Sequence, residues 1–483
     1  MKDKKWPVEL FKKTFASVPA YQSFLQSRDF DDTRIETMED FKKLPVMDKQ
    51  YLLDHPRREL FTDGKLAVSA SCSSGSSGRP TYWFRSEADD RVAALGYKYV
   101  LADVLKIGKE EPVLAIVCFA MGSWVAGTLT VDCLKQIAND GYQLTIFPAG
   151  IDQEDGLNAL LHLGPEFEHV VIYGYPPLLL DFVHEARHRG IPMGDKVKLI
   201  PAGDKNSEQW RDKIAALAGC PREQVVSFYG SADALYMACE TPLTYAIKKQ
   251  ALNNPALYAA LFGETHVANM PGVYQYNEDR IYLEEINQEL VLTVNRSLPL
   301  IRYNLHDCVK VLDAAGMQRI LQETHASDEG ISQLVEQWPH PFVIVASRTD
   351  VAVNFYGINI YYDHIRNITE APELTSVLSG NYFAYIENLY DASAQNLHLQ
   401  FELNAGVAGH PELESRLQST AIRVLQETSS EFRKLFGDLQ HKAAPLVKTV
   451  PFGELKTNGS HTGMYAVKGK KPRMVHHKNN PKP

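Results

Sequence analysis

The middle of the chain alternates long amphipathic patterns with short apolar runs. Helical periodicity over residues 87–108 gives way to the run VLAIVCFA, and helical patterns and apolar runs then alternate as far as SFYG near residue 230. One helical pattern, PPLLLDFVHEARHRG, has Pro at its start and Gly just past its end. Because parallel strands need crossover helices, the alternation predicts an α/β fold with mostly parallel sheets flanked by helices.

The pattern changes after about residue 270. Closely spaced runs, RIYLEEIN, ELVLTVNRS and LIRYNLHDCVKVLD, predict a β-rich subdomain. From about residue 348 onward, strand-like runs are combined with a long amphipathic helix over residues 410–437, which predicts a small α+β unit. We therefore expect an N-terminal domain of residues 1–347 and a C-terminal domain of residues 348–483.

One apolar stretch, residues 113–131, is uncharged and as long as a membrane-spanning helix. Its first half is rich in β-branched residues, Gly122 and Ser123 interrupt it, and its second half continues a helical pattern. We predict a buried strand, a turn and a helix here, and no membrane partner.

The composition narrows the class of protein. At 483 residues with a formal net charge of -9 and a pI near 6.0, the chain lacks the basic surface that nucleic acid requires. The six cysteines form no C-x-x-C pair, and the N-terminal MKDKKWPVELFKK has no apolar core. These features predict a cytoplasmic enzyme with reduced thiols, either a monomer or a homodimer.

A Ser/Gly-rich segment, SASCSSGSSGRPT at residues 69–81, lies between two short strand-like runs. Its glycines allow tight turns, and its hydroxyls, backbone N–H groups and Arg79 could hold a polyphosphate. The spacing is not that of a P-loop. A flexible linker explains the segment equally well when it is taken alone.

Two further segments carry acidic residues at strand ends. FYGSAD places Asp233 after an aromatic pair and a glycine, where it could hold Mg²⁺ beside a phosphate. LIRYNLHD supplies Arg302 and Asp307, and a carboxylate could accept two bonds from ribose hydroxyls. Each segment alone is more typical of an exposed strand end.

Together, SSGSSGRPT, YGSAD, LPLIRYNLHD and SRTDVAVNFYGINIYYDHI resemble, in order and approximate spacing, the signature segments of the adenylate-forming superfamily, in its phenylacetate–CoA ligase-like branch. The resemblance covers nearly the whole chain. It implies the adenylate-forming enzyme fold, with a small mobile C-terminal domain, and ATP, Mg²⁺ and coenzyme A (or a carrier-protein thiol) as cofactors.

The resemblance also assigns roles to individual residues. It implies that Asp233 binds Mg²⁺, that Asp307 binds the ribose hydroxyls, and that Arg348 reaches the ribose or a phosphate. Asp350 corresponds to the hinge, and Lys470 is the best match to the catalytic lysine, with Lys468 and Lys471 as competitors. The implied phosphate loop comprises Ser73, Ser74, Gly75, Ser76, Ser77, Gly78, Arg79 and Thr81, and the implied adenine frame comprises Gly203, Asp204, Phe228, Tyr229, Gly230 and Ser231.

The chain departs from the family pattern at several positions. Arg79 replaces the commoner lysine and Asp233 the usual glutamate, so the charge is kept at both. Asn304 and His306 interrupt the usual R-Y-R-T-G-D, and His306 takes the place of a glycine. A side chain at a glycine position needs room and a backbone conformation that most residues avoid.

Aromatic residues on predicted loops and element starts suggest an acyl pocket. We expect Trp124, Tyr173 and Tyr236 to line it, although core packing is the commoner role of any one such ring. Cys239 and His266 lie where some relatives bind zinc, but no ligand spacing supports a metal there and we predict none.

The sequence thus predicts an ATP-dependent ligase that activates a small aromatic carboxylic acid and passes the acyl group to a thiol, with coenzyme A as the expected acceptor. Adenylation with a carrier-protein or amine acceptor, and a non-catalytic nucleotide-binding homologue, remain open.

Overall fold

The computed structural model describes residues 5–30, 34–62, 69–73, 81–203, 206, 208–263, 270–348, 351–369, 371–374, 376–389, 394–404, 406–452, 454–455 and 467–468. The described residues form two compact units, and the boundary between them lies between Ser347 and Arg348. Within the described residues, no helix combines the length and apolar character needed to cross a membrane.

The helices of the first unit are α1 (Trp6–Ser17), α2 (Pro19–Ser27), α3 (Met38–Phe41), α4 (Lys49–Asp54), α5 (Glu87–Tyr99), α6 (Val125–Asn139), α7 (Gln153–His162), α8 (Pro176–His188), α9 (Glu208–Ala218), α10 (Pro242–Ala251), α11 (Pro255–Phe262), α12 (Ala314–Glu323) and α13 (Glu329–Gln337). Its strands are β1 (Ser69–Ser73), β2 (Thr81–Arg85), β3 (Val113–Cys118), β4 (Leu144–Phe147), β5 (His169–Gly174), β6 (Val197–Pro201), β7 (Phe228–Ser231), β8 (Leu235–Cys239), β9 (Gly272–Tyr276), β10 (Ile281–Ile286), β11 (Glu289–Val294), β12 (Leu300–Leu312) and β13 (Phe342–Arg348).

The alternating region forms a four-stranded parallel sheet in the order β4-β3-β5-β6. Successive side chains of β3 point to opposite faces of the sheet. Val117 packs in the core on the side of α5 and α6, whereas Ile116 packs in the core on the side of α7, α8 and α9. Both faces of the sheet are therefore buried, which explains the unbroken apolar runs of its strands. Residues 113–131 form strand, turn and helix as predicted.

The second sheet of this unit has seven strands in the order β10-β11-β12-β13-β9-β8-β7, and the pairings described for it are antiparallel. The predicted parallel sheet flanked by helices and the predicted β-rich subdomain are both present, and β7 belongs to the second of these. It turns back at residues 232–234 and pairs with β8. The α/β class itself is confirmed.

The second unit contains β14 (Val351–Phe355), β15 (Ile358–Tyr361), α14 (Tyr362–Thr369), β16 (Leu378–Leu389), β17 (Ala394–Leu403), α15 (Pro411–Thr428), α16 (Ser430–Leu439), β18 (Leu446–Val450) and β19 (Val467–Lys468). Its larger sheet has the order β18-β17-β16-β19, with β17 and β18 parallel and the other pairs antiparallel. It is an α+β unit, as its sequence pattern predicts.

Candidate active site

Strand β7 and the turn that follows it are shaped by a tight backbone approach. A Cβ atom at Gly230 would lie 2.5 Å from the carbonyl oxygen of Leu235, so no side chain fits there. The hydroxyl of Ser231 accepts a hydrogen bond from the backbone N–H of Ala234 at 3.0 Å, which closes the turn. The FYGSAD segment is thereby held in one conformation, with Asp233 inside the turn.

Tyr229 joins this turn to strand β12. Its ring stacks on Tyr274 of β9, with centroids 5.5 Å apart and an interplanar angle of 20°. Its hydroxyl donates a hydrogen bond to Oδ2 of Asp307, which is 78 residues away along the chain. The two segments that the resemblance assigns to the nucleotide therefore meet in the fold.

Asp307 is itself buried, at 5% exposure, near the middle of β12. The residue before it, His306, has a φ of 62°, in the left-handed region that favours glycine. The backbone at position 306 thus has a conformation that glycine adopts most easily, and glycine is the residue of the family motif at this position, although the side chain here is histidine.

Asp233 is the second buried carboxylate of the site, at 4% exposure. Its Oδ1 accepts a hydrogen bond from the hydroxyl of Tyr303 at 2.7 Å, and its backbone carbonyl accepts one from the guanidinium of Arg296. Tyr303 and Tyr229 are both phenols, so each carboxylate is oriented by a hydroxyl donor. An oriented carboxylate oxygen is a suitable Mg²⁺ ligand by its chemistry.

Arg302, the other charged residue of LIRYNLHD, has a structural role. Its Nε and Nη2 contact both oxygens of Glu284 at 3.0 and 3.1 Å, and its Nη1 donates to the backbone carbonyls of Lys42 and Leu44. These bonds tie β12 to β10 and to the N-terminal segment. Its guanidinium therefore stabilises the packing of these segments.

Gly203 lies just past the end of β6, the strand that precedes the implied adenine frame. It has a φ of 94°, and a Cβ there would come within 3.3 Å of the Tyr175 ring. Strand β5 also ends here, at Gly174, so the carboxyl ends of two parallel strands meet, which is where ligands bind in such sheets.

The implied phosphate loop is framed by the β1–β2 hairpin. Ser73 pairs with Thr81, which is buried, and the backbone N–H of Cys72 donates to the carbonyl of Ser123 ahead of α6 at 3.1 Å. Several predicted residues lie outside the described residues, and Arg348 ends β13 without a described side chain. Those outside are Ser74, Gly75, Ser76, Ser77, Gly78, Arg79, Asp204, Asp350 and Lys470.

The predicted acyl-pocket residues behave differently from one another. Tyr173 is buried with Tyr97 and Phe228 in one aromatic cluster, and the half-buried Tyr236 packs against it. Phe228 lies 5.0 Å from Tyr97 and 5.2 Å from Tyr236. Trp124 precedes the first residue of α6 and is half-buried. Burial raises the pKa of Tyr173 and Tyr236 well above the ordinary value, so both hydroxyls are neutral. The close packing of Tyr97, Tyr173 and Phe228 is that of a core, whereas Tyr236 also lines a cavity beside α5.

Three side chains of types that can bind a metal ion also lie close together away from this site. Glu111, Glu168 and His169 bring their ligand atoms within 4.8 Å of one another at the start of β5, the opposite end of the strand from Gly174. The Nε2 of His169 is hydrogen-bonded to Glu111 at 3.0 Å. Cys239 is buried, and burial raises its pKa to about 12, which keeps it a thiol.

Sequence reasoning missed Tyr303, Tyr274 and Arg296. Tyr303 stands within the quoted LIRYNLHD segment, but a phenol that orients a carboxylate 70 residues away leaves no local signal. Arg296 precedes that segment and is detectable only through its contact with the Asp233 carbonyl.

Comparisons with known proteins support the fold. No family model and no curated protein sequence matches the chain. Among solved structures, it is similar to 2-hydroxyisobutyryl-CoA ligase with 2-HIB-AMP and CoA in the thioesterification state, with a TM-score of 0.64, 16% identity, and coverage of 95% of this chain and 88% of that one. The same ligase in its postadenylation state with R3-HIB-AMP matches with a TM-score of 0.53 and 15% identity, and the match covers 94% of this chain and 87% of that one. The postadenylation state with 2-HIB-AMP matches with a TM-score of 0.51 and 17% identity, and the match covers 94% of this chain and 87% of that one. At such identities the likeness shows the fold alone, and the chain shares the fold of 2-hydroxyisobutyryl-CoA ligase.

Proposed function

We propose that this protein activates a small carboxylic acid with ATP, forming an acyl-adenylate, and then transfers the acyl group to a thiol, with coenzyme A as the acceptor. The observation that carries the proposal is the joining of the FYGSAD turn to β12 through the Tyr229–Asp307 hydrogen bond. The ligase with a similar fold has been solved with 2-HIB-AMP and CoA. A small aromatic acid is the first substrate class to test, because the motif resemblance is to an aryl-activating branch.

In the first half-reaction, the acid carboxylate attacks the α-phosphorus of ATP and pyrophosphate leaves, which gives a mixed acyl-phosphate anhydride. The protein supplies position and charge for this step. Asp307, held by Tyr229, would accept hydrogen bonds from the ribose hydroxyls, and the half-buried ring of Tyr229, which is stacked on Tyr274, would offer aromatic surface to the base. Asp233 would hold Mg²⁺, which neutralises phosphate charge when bound. Gly203, which has no side chain, would let the nucleotide approach the backbone where β5 and β6 end.

In the second half-reaction, a thiol attacks the acyl carbonyl and AMP leaves. The first half-reaction needs water excluded and the second needs a bulky thiol admitted, so a change of conformation between them is chemically useful. We assign the hinge to Asp350 and the adenylation lysine to Lys470, and the small C-terminal domain would carry that lysine.

The proposal is tested by ATP–pyrophosphate exchange with a panel of aryl and short-chain acids. We expect acid-dependent exchange that falls about 100-fold in Asp307→Ala, because the charge-assisted bonds to the ribose are lost. Tyr229→Phe keeps the ring and should lose several-fold. Asp279→Ala, an exposed aspartate in the turn before β10, is the matched control and should retain full exchange.

Acceptor choice is tested separately by following acid-dependent AMP release with coenzyme A, a carrier protein and simple amines. Release with coenzyme A supports thiol ligation. Release only with a carrier protein or an amine would move the protein to a biosynthetic loading or amide-forming role. ATP binding with no exchange for any acid would contradict adenylation and favour a binding-only homologue.

A further inference from the structure

The loop that joins β11 to β12, residues 295–299, contains a buried arginine. Arg296 is 7% exposed, and its neighbour Ser297 is half-buried. A guanidinium loses its hydration on burial, so arginine is found inside proteins where other groups replace the water. The partners of Arg296 therefore show which segments of the fold it connects.

The two terminal nitrogens of Arg296 donate to backbone carbonyls in two different segments. Nη1 donates to the carbonyl of Asp233, in the FYGSAD turn, and Nη2 donates to the carbonyl of Phe84 at 3.1 Å. Phe84 lies in β2, whose first residue, Thr81, is the last residue of the implied phosphate loop. Because a guanidinium is planar and rigid, its nitrogens hold the two carbonyls at a fixed separation. Arg296 therefore sets the position of the turn relative to β2.

The loop itself is held against the first turn of α5. The backbone N–H of Ser297 donates to Oδ1 of Asp89 at 2.9 Å, and the Ser297 hydroxyl donates to Oδ2 of Asp89 and lies 2.8 Å from the hydroxyl of Ser86. Burial lowers the pKa of Arg296, and the negative charges of Asp89 and Asp233 oppose that effect. Asp89 therefore both anchors the loop and balances the buried cation.

A second side chain connects the same turn to β2. Tyr303 donates to Oδ1 of Asp233 at 2.7 Å, and its ring packs edge-on against Trp83, with ring centroids 6.4 Å apart. Trp83 precedes Phe84 in β2. Asp233 is thus held through its carbonyl by Arg296 and through its carboxylate by Tyr303, and both connections lead to β2. The first sets where the turn lies, and the second sets the direction of the carboxylate.

We propose that Arg296 is a positioning residue for nucleotide binding, which holds the FYGSAD turn against β2 so that Asp233 shares one Mg²⁺ ion with the ATP phosphates. This role rests on the proposed function, which assigns Mg²⁺ to Asp233. Arg296 acts through the main chain of Asp233. Because Mg²⁺ tolerates little departure from octahedral geometry, a shift of the turn weakens the binding of Mg²⁺ with the nucleotide.

The test is a calorimetric titration of the full chain with ATP, once with Mg²⁺ and once with EDTA, and without an acid substrate. The dissociation constant without Mg²⁺ divided by that with Mg²⁺ measures how much the ion strengthens ATP binding. We expect this ratio to fall about ten-fold in Arg296→Lys, because an ammonium keeps the charge but presents no rigid fork to the two carbonyls. Binding of ATP without Mg²⁺ should stay unchanged.

Arg211→Lys is the matched control, because Arg211 is also a buried arginine but pairs with Glu208 and Glu240. It should lower the thermal midpoint and leave the ratio unchanged. Ser297→Ala keeps Arg296 and removes the hydroxyl bonds that anchor its loop. It should lower the ratio several-fold, so it decides the test if Arg296→Lys fails to fold.

An Asp233→Asn background tests the route of the effect. In that background Arg296→Lys should cause no further fall in the ratio, because it acts through Asp233. An equal ratio for wild type and Arg296→Lys, the same fall in Arg211→Lys, or additive falls in the double variant would overturn the role of Arg296. No effect of Mg²⁺ on ATP binding by the wild type would also overturn it.

Pyrophosphate exchange by the wild type separates this role from the proposed function. The expected ratios without any exchange would contradict adenylation and leave the role of Arg296 in nucleotide binding intact. Exchange by the wild type, with an unchanged ratio in Arg296→Lys, would overturn the role of Arg296 alone.

Discussion

His306 shows how a residue that breaks a motif can still fit the fold. It adopts the left-handed conformation of a glycine, and its backbone N–H donates to the side-chain oxygen of Asn304 at 2.8 Å. The amide nitrogen of Asn304 in turn donates to Glu289 of β11 at 2.6 Å. The two residues that depart from the family motif therefore act together, because the side chain of Asn304 stabilises the left-handed backbone conformation of His306, next to Asp307.

The cost of that conformation gives a prediction for position 306. His306→Val should lower the free energy of unfolding by about 1–2 kcal/mol, because a β-branched residue is strongly disfavoured in the left-handed region. His306→Asn should be within about 0.5 kcal/mol of the wild type, since asparagine tolerates that region. Urea unfolding of the three proteins measures the difference. Equal stability of the valine and asparagine variants would contradict the backbone explanation.

At the scale of elements, a buried ionic network joins α9, α10 and the end of β8. Glu240 is 3% exposed and accepts two hydrogen bonds from Arg211 at 2.6 Å and one from Lys248 at 3.1 Å. The backbone N–H of Ser227 adds a fourth at 2.9 Å. Burial alone would raise the pKa of Glu240, but Arg211 and Lys248 outweigh it and hold the pKa at about 2.

Breaking this network should be costly. Glu240→Gln removes one of the two buried carboxylates, Glu240 and Glu208, that pair with Arg211 and Lys248, and should lower the free energy of unfolding at pH 7 by about 3 kcal/mol. The matched control is Glu427→Gln, in an exposed pair with Arg423, which should change it by less than about 0.5 kcal/mol. Chemical denaturation measures both. Similar small effects from the two substitutions would show that the buried network does not stabilise the fold.

The same carboxylate makes stability depend on pH. Because the pKa of Glu240 is lowered on folding from 4.5 to about 2, its contribution is present above pH 4.5 and is lost as the pH falls toward 2. Wild-type stability should therefore fall more steeply with acid over this interval than that of Glu240→Gln. Parallel stability curves for the two proteins between pH 5 and pH 2 would refute this assignment.

At the scale of the whole molecule, the chain is divided at the Ser347–Arg348 boundary. The first unit has its own extensive cores, on both faces of the parallel sheet and on both sides of the seven-stranded sheet. It therefore buries enough apolar surface to fold without the second unit.

A fragment of residues 1–347 tests this division. We expect it to unfold cooperatively and to bind ATP through Tyr229 and Asp307, but to lose acid-dependent exchange, because the proposed Lys470 is removed. Circular dichroism, ATP titration and exchange assays measure these properties, with full-length Lys470→Ala as the comparison. An unfolded fragment would show that the units depend on each other, and full exchange by the fragment would contradict the role of Lys470.

The sequence by itself determined the fold class and much of the order of elements. Local periodicity is a property of each helix or strand, so it predicted the parallel sheet and the strand, turn and helix of residues 113–139. The motif resemblance placed Asp233 and Asp307 in one site, and the Tyr229–Asp307 bond joins their segments in the structure. The phosphate-loop, hinge and lysine assignments stay predictions.

Only the tertiary structure decided which strands pair and which side chains meet. The antiparallel return of β7, the Tyr303 bond to Asp233 and the cavity beside α5 all join segments that are far apart in the chain. Tyr173 packs into an aromatic core, whereas Tyr236 packs against that core and also lines the cavity beside α5. Such contacts depend on how several elements pack at once, and neither periodicity nor motif spacing records that packing.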